Sequence, residues 1–171
     1  STLLALSTAL DKRETGMGWH SLRVMKYTAR LGCEMGLNPE VLRNLEQGAL
    51  LHDSGKLGVP DALLRKEDAL SETEWVLMRR HPVIGYRILA DIKFLQGAAL
   101  MVLHHHERYD GSGYPGGLSG ENIALEARIF ALADALDCMT SDRSFHGSLS
   151  FEAARDEILL CSVTHFDPKS V

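Results

Sequence analysis

"PEVLRNLEQGALLHD", residues 39–53, reads as one amphipathic helix that ends in two metal-binding residue types. Val41, Leu42, Leu45, Ala49 and His52 recur at three- and four-residue spacing and so share a face, with Pro39 suited to the opening turn. A histidine therefore continues an apolar stripe, and Asp53 follows it. The stripe faces a core along most of its length and something polar at its end.

Helical spacing extends outward in both directions. Residues 20–36 carry Val24, Tyr27, Thr28, Leu31 and Met35 in register until Gly36 and Asn38-Pro39 stop the helix. "GVPDALLRKEDALSETEW" (58–75) is a loop with a short turn, and Ser71 with Glu74 fits a capping box for the helix bearing Trp75 and Met78. "HPVIGYRIL" (81–89) starts another helix with Pro82 in its first turn. Residues 94–107 and 122–139 are helical on either side of a glycine-rich loop, and 150–161 places Phe151, Ala154, Ile158 and Cys161 in register. No alternating strand of useful length appears, so the predicted class is all α.

The 171 residues are 45% hydrophobic, enough for one domain with a real core. A net charge of −5 leaves no basic field for a polymeric nucleic acid. Cys33, Cys138 and Cys161 lack C-x-x-C spacing, which argues against a disulfide framework or thiolate zinc site. They are expected to be buried thiols in a reducing cytoplasm. No apolar run approaches the roughly 20 residues of a membrane span, and "STLLALSTALDKRETG" lacks the order of a signal peptide. A cytoplasmic chain, part of a longer protein, is the expectation.

Five histidines stand where a site can be built: His20, His52, His81, His105 and His106. A lone histidine on an apolar stripe is ordinarily a hydrogen-bonded core residue; the joint pattern argues otherwise. His52 with Asp53, His81, His105 with His106, and Asp134 within "ARIFALADALDCM" form four helix-borne clusters, which a metal centre between helices requires. Neighbouring helical side chains diverge by roughly 100°, so adjacent ligands fit best at helix ends. Asp53 is the candidate carboxylate bridge between two metals. Asp137 shares a face with Asp134 and is either a solvated helix residue or an acceptor behind a ligand. "HHHERYDGSGYPGG" (104–117) contains G-x-G-x-x-G, but a dinucleotide fingerprint needs a preceding strand and a following helix, and Pro115 interrupts this one. Its glycines are expected to shape a mobile loop, with His104 pointing away from the centre.

These motifs carry a resemblance. "LLHDSGKLGVPDALL" (50–64), "HPVIGYRIL", "HHERYDGSGYPGGLSGENIALEARIFALADALDCMTSDR" (105–143) and "THFDP" (164–168) resemble the HD-GYP family of HD-domain metal phosphohydrolases. The resemblance implies an HD-domain helical bundle and a metal-dependent phosphodiesterase that opens cyclic di-GMP to pGpG and GMP. It implies metal ligation by His52, Asp53, His81, His105, His106 and Asp134. Catalytic roles fall to Asp53 and to Lys56, which the family places on the scissile phosphate and which is otherwise an exposed loop lysine. Arg143 corresponds to a substrate-phosphate contact, suited to a guanidinium. His146 stands where the family often has lysine, and Phe145 where it has tyrosine. Tyr114 is a candidate contact to substrate or partner.

His20 is a further candidate ligand, its alternative being a polar residue lining the cleft. Three-metal members carry a glutamate four residues earlier, where this chain has Gly16, so two divalent metals are expected. Iron or manganese is implied by the resemblance, with nickel, cobalt or zinc compatible with the donors. The alternatives are a low-activity cyclic di-GMP-binding module and a phosphodiesterase for another cyclic dinucleotide such as cyclic GMP-AMP. Diguanylate cyclase (GGDEF) domains are expected partners at the glycine-rich loop. Residues 1–12, with Leu3, Leu6 and Leu10 in helical register, form a leading helix that links to an upstream domain or pairs in a homodimer. Residues 13–171 then form the catalytic domain.

Overall fold

The computed structural model describes residues 2–15, 19–141 and 147–171. Arg143, Phe145 and His146, like Gly16, lie outside the described residues. The elements in chain order are α1 (Thr2–Thr15), α2 (His20–Glu34), α3 (Pro39–Leu51), α4 (Asp61–Leu64), α5 (Glu72–Met78), α6 (His81–Ala90), α7 (Gln96–His104), α8 (Leu125–Thr140) and α9 (Phe151–Leu160). Among the described residues the only β pairings are two isolated bridges, so the all-α expectation stands.

The helix signals act as the sequence predicts. Asn38 accepts hydrogen bonds from Glu40 and Val41 backbone N–H groups at the start of α3. Ser71 and Glu74 close the capping box of α5. The leading helix continues past residue 12 to Thr15, and the predicted 58–75 loop contains the single turn α4.

Two apolar clusters share α3 and α7 as a common wall. Val24, Leu45, Ala49, Met101, Ile129 and Phe130 join α2, α3, α7 and α8. Leu51, Leu89, Leu95, Ala99 and Val102 join α3, α6 and α7. At about 25 cal/mol per Å² of buried apolar surface, such clusters are the main force holding the helices. Phe130, fully buried, has its ring 4.9 Å from that of His52 and 5.9 Å from that of His105. The core thus runs directly into the histidine cluster.

The C-terminal segment is tied down by charge. Asp167 is buried, and Arg128 of α8 donates to it at 2.6 Å while also donating to the Ile123 carbonyl. Three expectations fail on burial. Cys33 is exposed, and Cys138 and Cys161 are only partly covered, because the faces they occupy border a cleft or solvent. Apart from these, Trp19 and Trp75 are exposed and Met101 is core. No helix among the described residues is long and apolar enough to cross a membrane.

Candidate metal centre

Four of the candidate histidines sit at the ends of helices, whereas Asp134 projects from the middle of α8. His52 is the residue after the last turn of α3, and His105 the residue after that of α7. His81 opens α6 and His20 opens α2. Ends release the 100° constraint between neighbours, so adjacent side chains can converge.

Three of these rings are aimed by one device. His52 Nδ1 lies 2.8 Å from the Ala49 carbonyl, His81 Nδ1 2.8 Å from that of Met78, and His105 Nδ1 2.6 Å from that of Val102. A carbonyl only accepts, so each Nδ1 carries the proton and, in the neutral ring, each Nε2 presents a lone pair. The Nε2 atoms of His81 and His105 face each other at 3.2 Å. Two buried lone pairs that close repel unless a cation lies with them.

The donor atoms fall into two groups, His81 with His105 and His106, and His20 with His52 and Asp134, each within 4.8 Å of one another. Asp53 joins them. Its Oδ2 is 3.1 Å from His52 Nε2 and its Oδ1 is 3.6 Å from His81 Nε2, so one carboxylate spans both groups. Lys56 Nζ donates to the same Oδ2 at 2.9 Å. Imidazole nitrogens converging from helix ends with the carboxylates of Asp53 and Asp134 suit divalent first-row cations, and the opposed lone pairs fit such ions.

His20 is oriented differently. Its Nδ1 lies 2.8 Å from Asp137 Oδ2 and its Nε2 3.4 Å from Asp134 Oδ1. Arg23 grips Asp137 with Nε at 2.6 Å and a terminal nitrogen at 3.0 Å. Asp137 is therefore a buried acceptor behind His20, not a solvated helix residue. Arg23 lies one turn after His20, a spacing that makes it a legible partner in hindsight.

Electrostatics divide the two halves. Burial pushes His81 and His105 down, and takes His106 to about 3. Burial also opposes charge on His20, but hydrogen bonds with Asp134 and Asp137 prevail and raise it to about 9. At His52, burial is outweighed by the charge of Asp53, so the net direction is upward. The Asp53 carboxyl, despite burial, is held well below its usual range by His52 and Lys56.

Beside the centre opens a cleft of about 540 Å³, walled by His105, His106, Asp134, Tyr114, Arg79 and Met139. Tyr114 stacks on His106 with ring centroids 4.7 Å apart, and the Arg79 guanidinium covers the Tyr114 ring at 5.3 Å. Burial lifts the Tyr114 phenol to about 12, so it stays protonated. The glycine-rich loop is pinned to the scaffold. Glu107, buried, accepts from the Gly116 and Leu118 backbone N–H groups at 2.7 and 3.0 Å. Asp110 accepts from the Ser112 backbone and hydroxyl, and the Tyr109 and Asp110 N–H groups donate to the His165 and Thr164 carbonyls. His104 turns away, its Nδ1 accepting from the Ala124 backbone 3.2 Å distant.

This fold and donor set define a class: residues 5–170 match the HD-domain family, and the chain belongs to that family. The cyclic di-GMP phosphodiesterase response regulator RpfG of Xanthomonas campestris is 41% identical over 172 residues, covering 99% of this chain and 46% of RpfG. The 3'3'-cGAMP-specific phosphodiesterase 2 of Vibrio cholerae is 36% identical over 168 residues, 97% of this chain and 32% of that protein. The solved structure of Bd1817, an HD-GYP protein of Bdellovibrio bacteriovorus, superposes with a TM-score of 0.69 at 25% identity, over 88% of this chain and 48% of that one. Within the HD-domain family the chain is thus of the HD-GYP branch. It spans less than half the length of these relatives.

Proposed function

We propose that this domain hydrolyses a phosphodiester bond of a cyclic dinucleotide, cyclic di-GMP first, giving pGpG and then GMP. The observation that carries the reading is the coupling of two three-donor groups through the single carboxylate of Asp53. Similarity to RpfG supports the substrate class.

In this reading His20, His52, Asp53, His81, His105, His106 and Asp134 hold two divalent cations, iron or manganese. When bound, such cations supply Lewis acidity that neutralises phosphate charge and lowers the pKa of a nearby water. Asp53 keeps the two halves in register with one oxygen toward each. Lys56, held at 2.9 Å from Asp53, brings a fixed ammonium to the scissile phosphate and the departing oxygen. Asp137 and Arg23 hold the His20 ring. Tyr114 and His106 give the cleft a flat wall, and Arg143 and His146 are assigned to further phosphate contacts. The reading further includes a cytoplasmic domain over residues 13–171, a leading segment 1–12 serving as linker or homodimer contact, and docking of diguanylate cyclase domains at the glycine-rich loop.

Cyclic GMP-AMP is a second substrate reading, favoured by the 36% identity to the Vibrio cholerae enzyme. Purified protein loaded with manganese or iron and given each dinucleotide side by side tests both. Replacement of His105 and His106 together by alanine is expected to abolish turnover with helicity retained. Unaltered turnover in that double variant overturns the ligand assignment, and tight binding without product in any metal replaces the enzyme with a receptor.

A further inference from the structure

The turn that carries Asp53 and Lys56 is gripped from outside the centre. Arg13, in the last turn of α1, donates Nη1 to the Lys56 carbonyl at 3.1 Å, Nη2 to the Val59 carbonyl at 3.3 Å, and Nε to Asp61 at 2.9 Å. These acceptors lie along the end of the 3-10 turn Ser54–Gly58 and the start of α4, where a guanidinium fork also meets the negative end of the turn's dipoles. On its other side the turn abuts α6: a Cβ on Gly55 would lie 1.8 Å from the His81 carbonyl oxygen. Leu10, Arg13, Asp53 and Lys56 line one small cavity, so α1 reaches to the edge of the centre. One half-turn back, the buried carboxylate of Asp11 accepts from Ser21 N at 3.1 Å and Ser21 Oγ at 2.6 Å, which fixes the start of α2 next to His20.

We infer that Arg13 is a positioning residue: it clamps the Asp53–Lys56 turn against α6 and so sets where the bridging carboxylate and the lysine stand. Its hydrogen bonds go to the Asp61 carboxylate and to two backbone carbonyls, and it acts on the turn through these. The inference rests on the proposed metal-dependent hydrolysis for its consequence, but its geometry is independent of that reading.

The test uses the full chain with Arg13→Ala and Arg13→Lys. In metal-free protein, the amides of residues 53–59 in Arg13→Ala exchange hydrogen at least about tenfold faster than in wild type, with α8 unchanged. Manganese affinity by calorimetry falls by about tenfold to hundredfold. Where wild type turns over, kcat of Arg13→Ala falls by a similar factor with KM little moved. Arg13→Lys keeps the charge without the fork and recovers only part of each, and added methylguanidinium restores Arg13→Ala. If wild type hydrolyses no cyclic dinucleotide, the functional reading fails while exchange and manganese affinity still decide the role of Arg13. Wild-type exchange, affinity and kcat in Arg13→Ala overturn it.

Discussion

Gly55→Ala isolates the contact on which the bridge depends. The added methyl would stand 1.8 Å from the His81 carbonyl oxygen and 2.6 Å from the Gly85 nitrogen, both backbone atoms that no rotamer change can remove. Ordinary contact requires the Ser54–Gly58 turn and α6 to part by about 1.5 Å. Gly55 has no positive φ, so alanine suits the backbone there, and reduced chain entropy alone would stabilise by about 0.4–1 kcal/mol. Overpacking costs about 1–3 kcal/mol and opposes that gain, so the expected net change is destabilising. The same separation draws Asp53 Oδ1 from His81 Nε2, now 3.6 Å apart, and splits the donor groups. Urea unfolding of the metal-free protein reads the first effect, and manganese calorimetry reads the second as a loss of about tenfold or more. A variant as stable as wild type with unchanged manganese affinity would refute the bridging argument.

Other perturbations test separate joints. Asp167→Ala leaves the Arg128 guanidinium buried without its carboxylate, at a cost of about 3–5 kcal/mol in chemical denaturation; a loss within about 0.5 kcal/mol removes the anchoring role. Glu107→Ala frees the Gly116 and Leu118 N–H groups, so limited proteolysis at residues 110–118 accelerates, and an unchanged cleavage rate counts against the clamp. His20, raised from 6.5 to about 9, contributes stability that is complete below pH 6.5 and is lost as pH rises through 9. Asp137, lowered to about 2, contributes above its ordinary pKa of 3.8 and is lost as pH falls toward 2. Asp137→Asn therefore flattens the alkaline loss in metal-free protein, measured by unfolding across pH 6–10; an unchanged slope denies the His20–Asp137 coupling.

The stripes of α2, α3 and α8 were legible because burial imposes a 3.6-residue period on any helix packed against a core. The histidines were legible as departures from that period: His52 sits where a leucine would satisfy the stripe. Asp137, Glu107 and Arg13 were not assignable in the same way, because their roles depend on partners 117, 9 and 43 residues away for which no local pattern exists. The loop misled for the opposite reason. Its glycines signal conformational freedom, yet Gly113 has backbone atoms of Glu107 and Arg108 within 2.5 Å of where a Cβ would lie, so part of its glycine content answers crowding and not mobility. Cys33 was misjudged because cysteine is on average a buried residue, while its place near the end of α2 faces solvent.

The anchoring of His52, His81 and His105 to carbonyls three residues upstream ties the direction of each ring to the packing of the helices. Each ring takes its bearing from the helix or turn just before it, so the direction of each lone pair is a fixed extension of that segment's axis. If the centre holds metal as proposed, its affinity would be a gauge of how α3, the end of α5 and α7 sit against one another, and a small slip of any one would change ion occupancy.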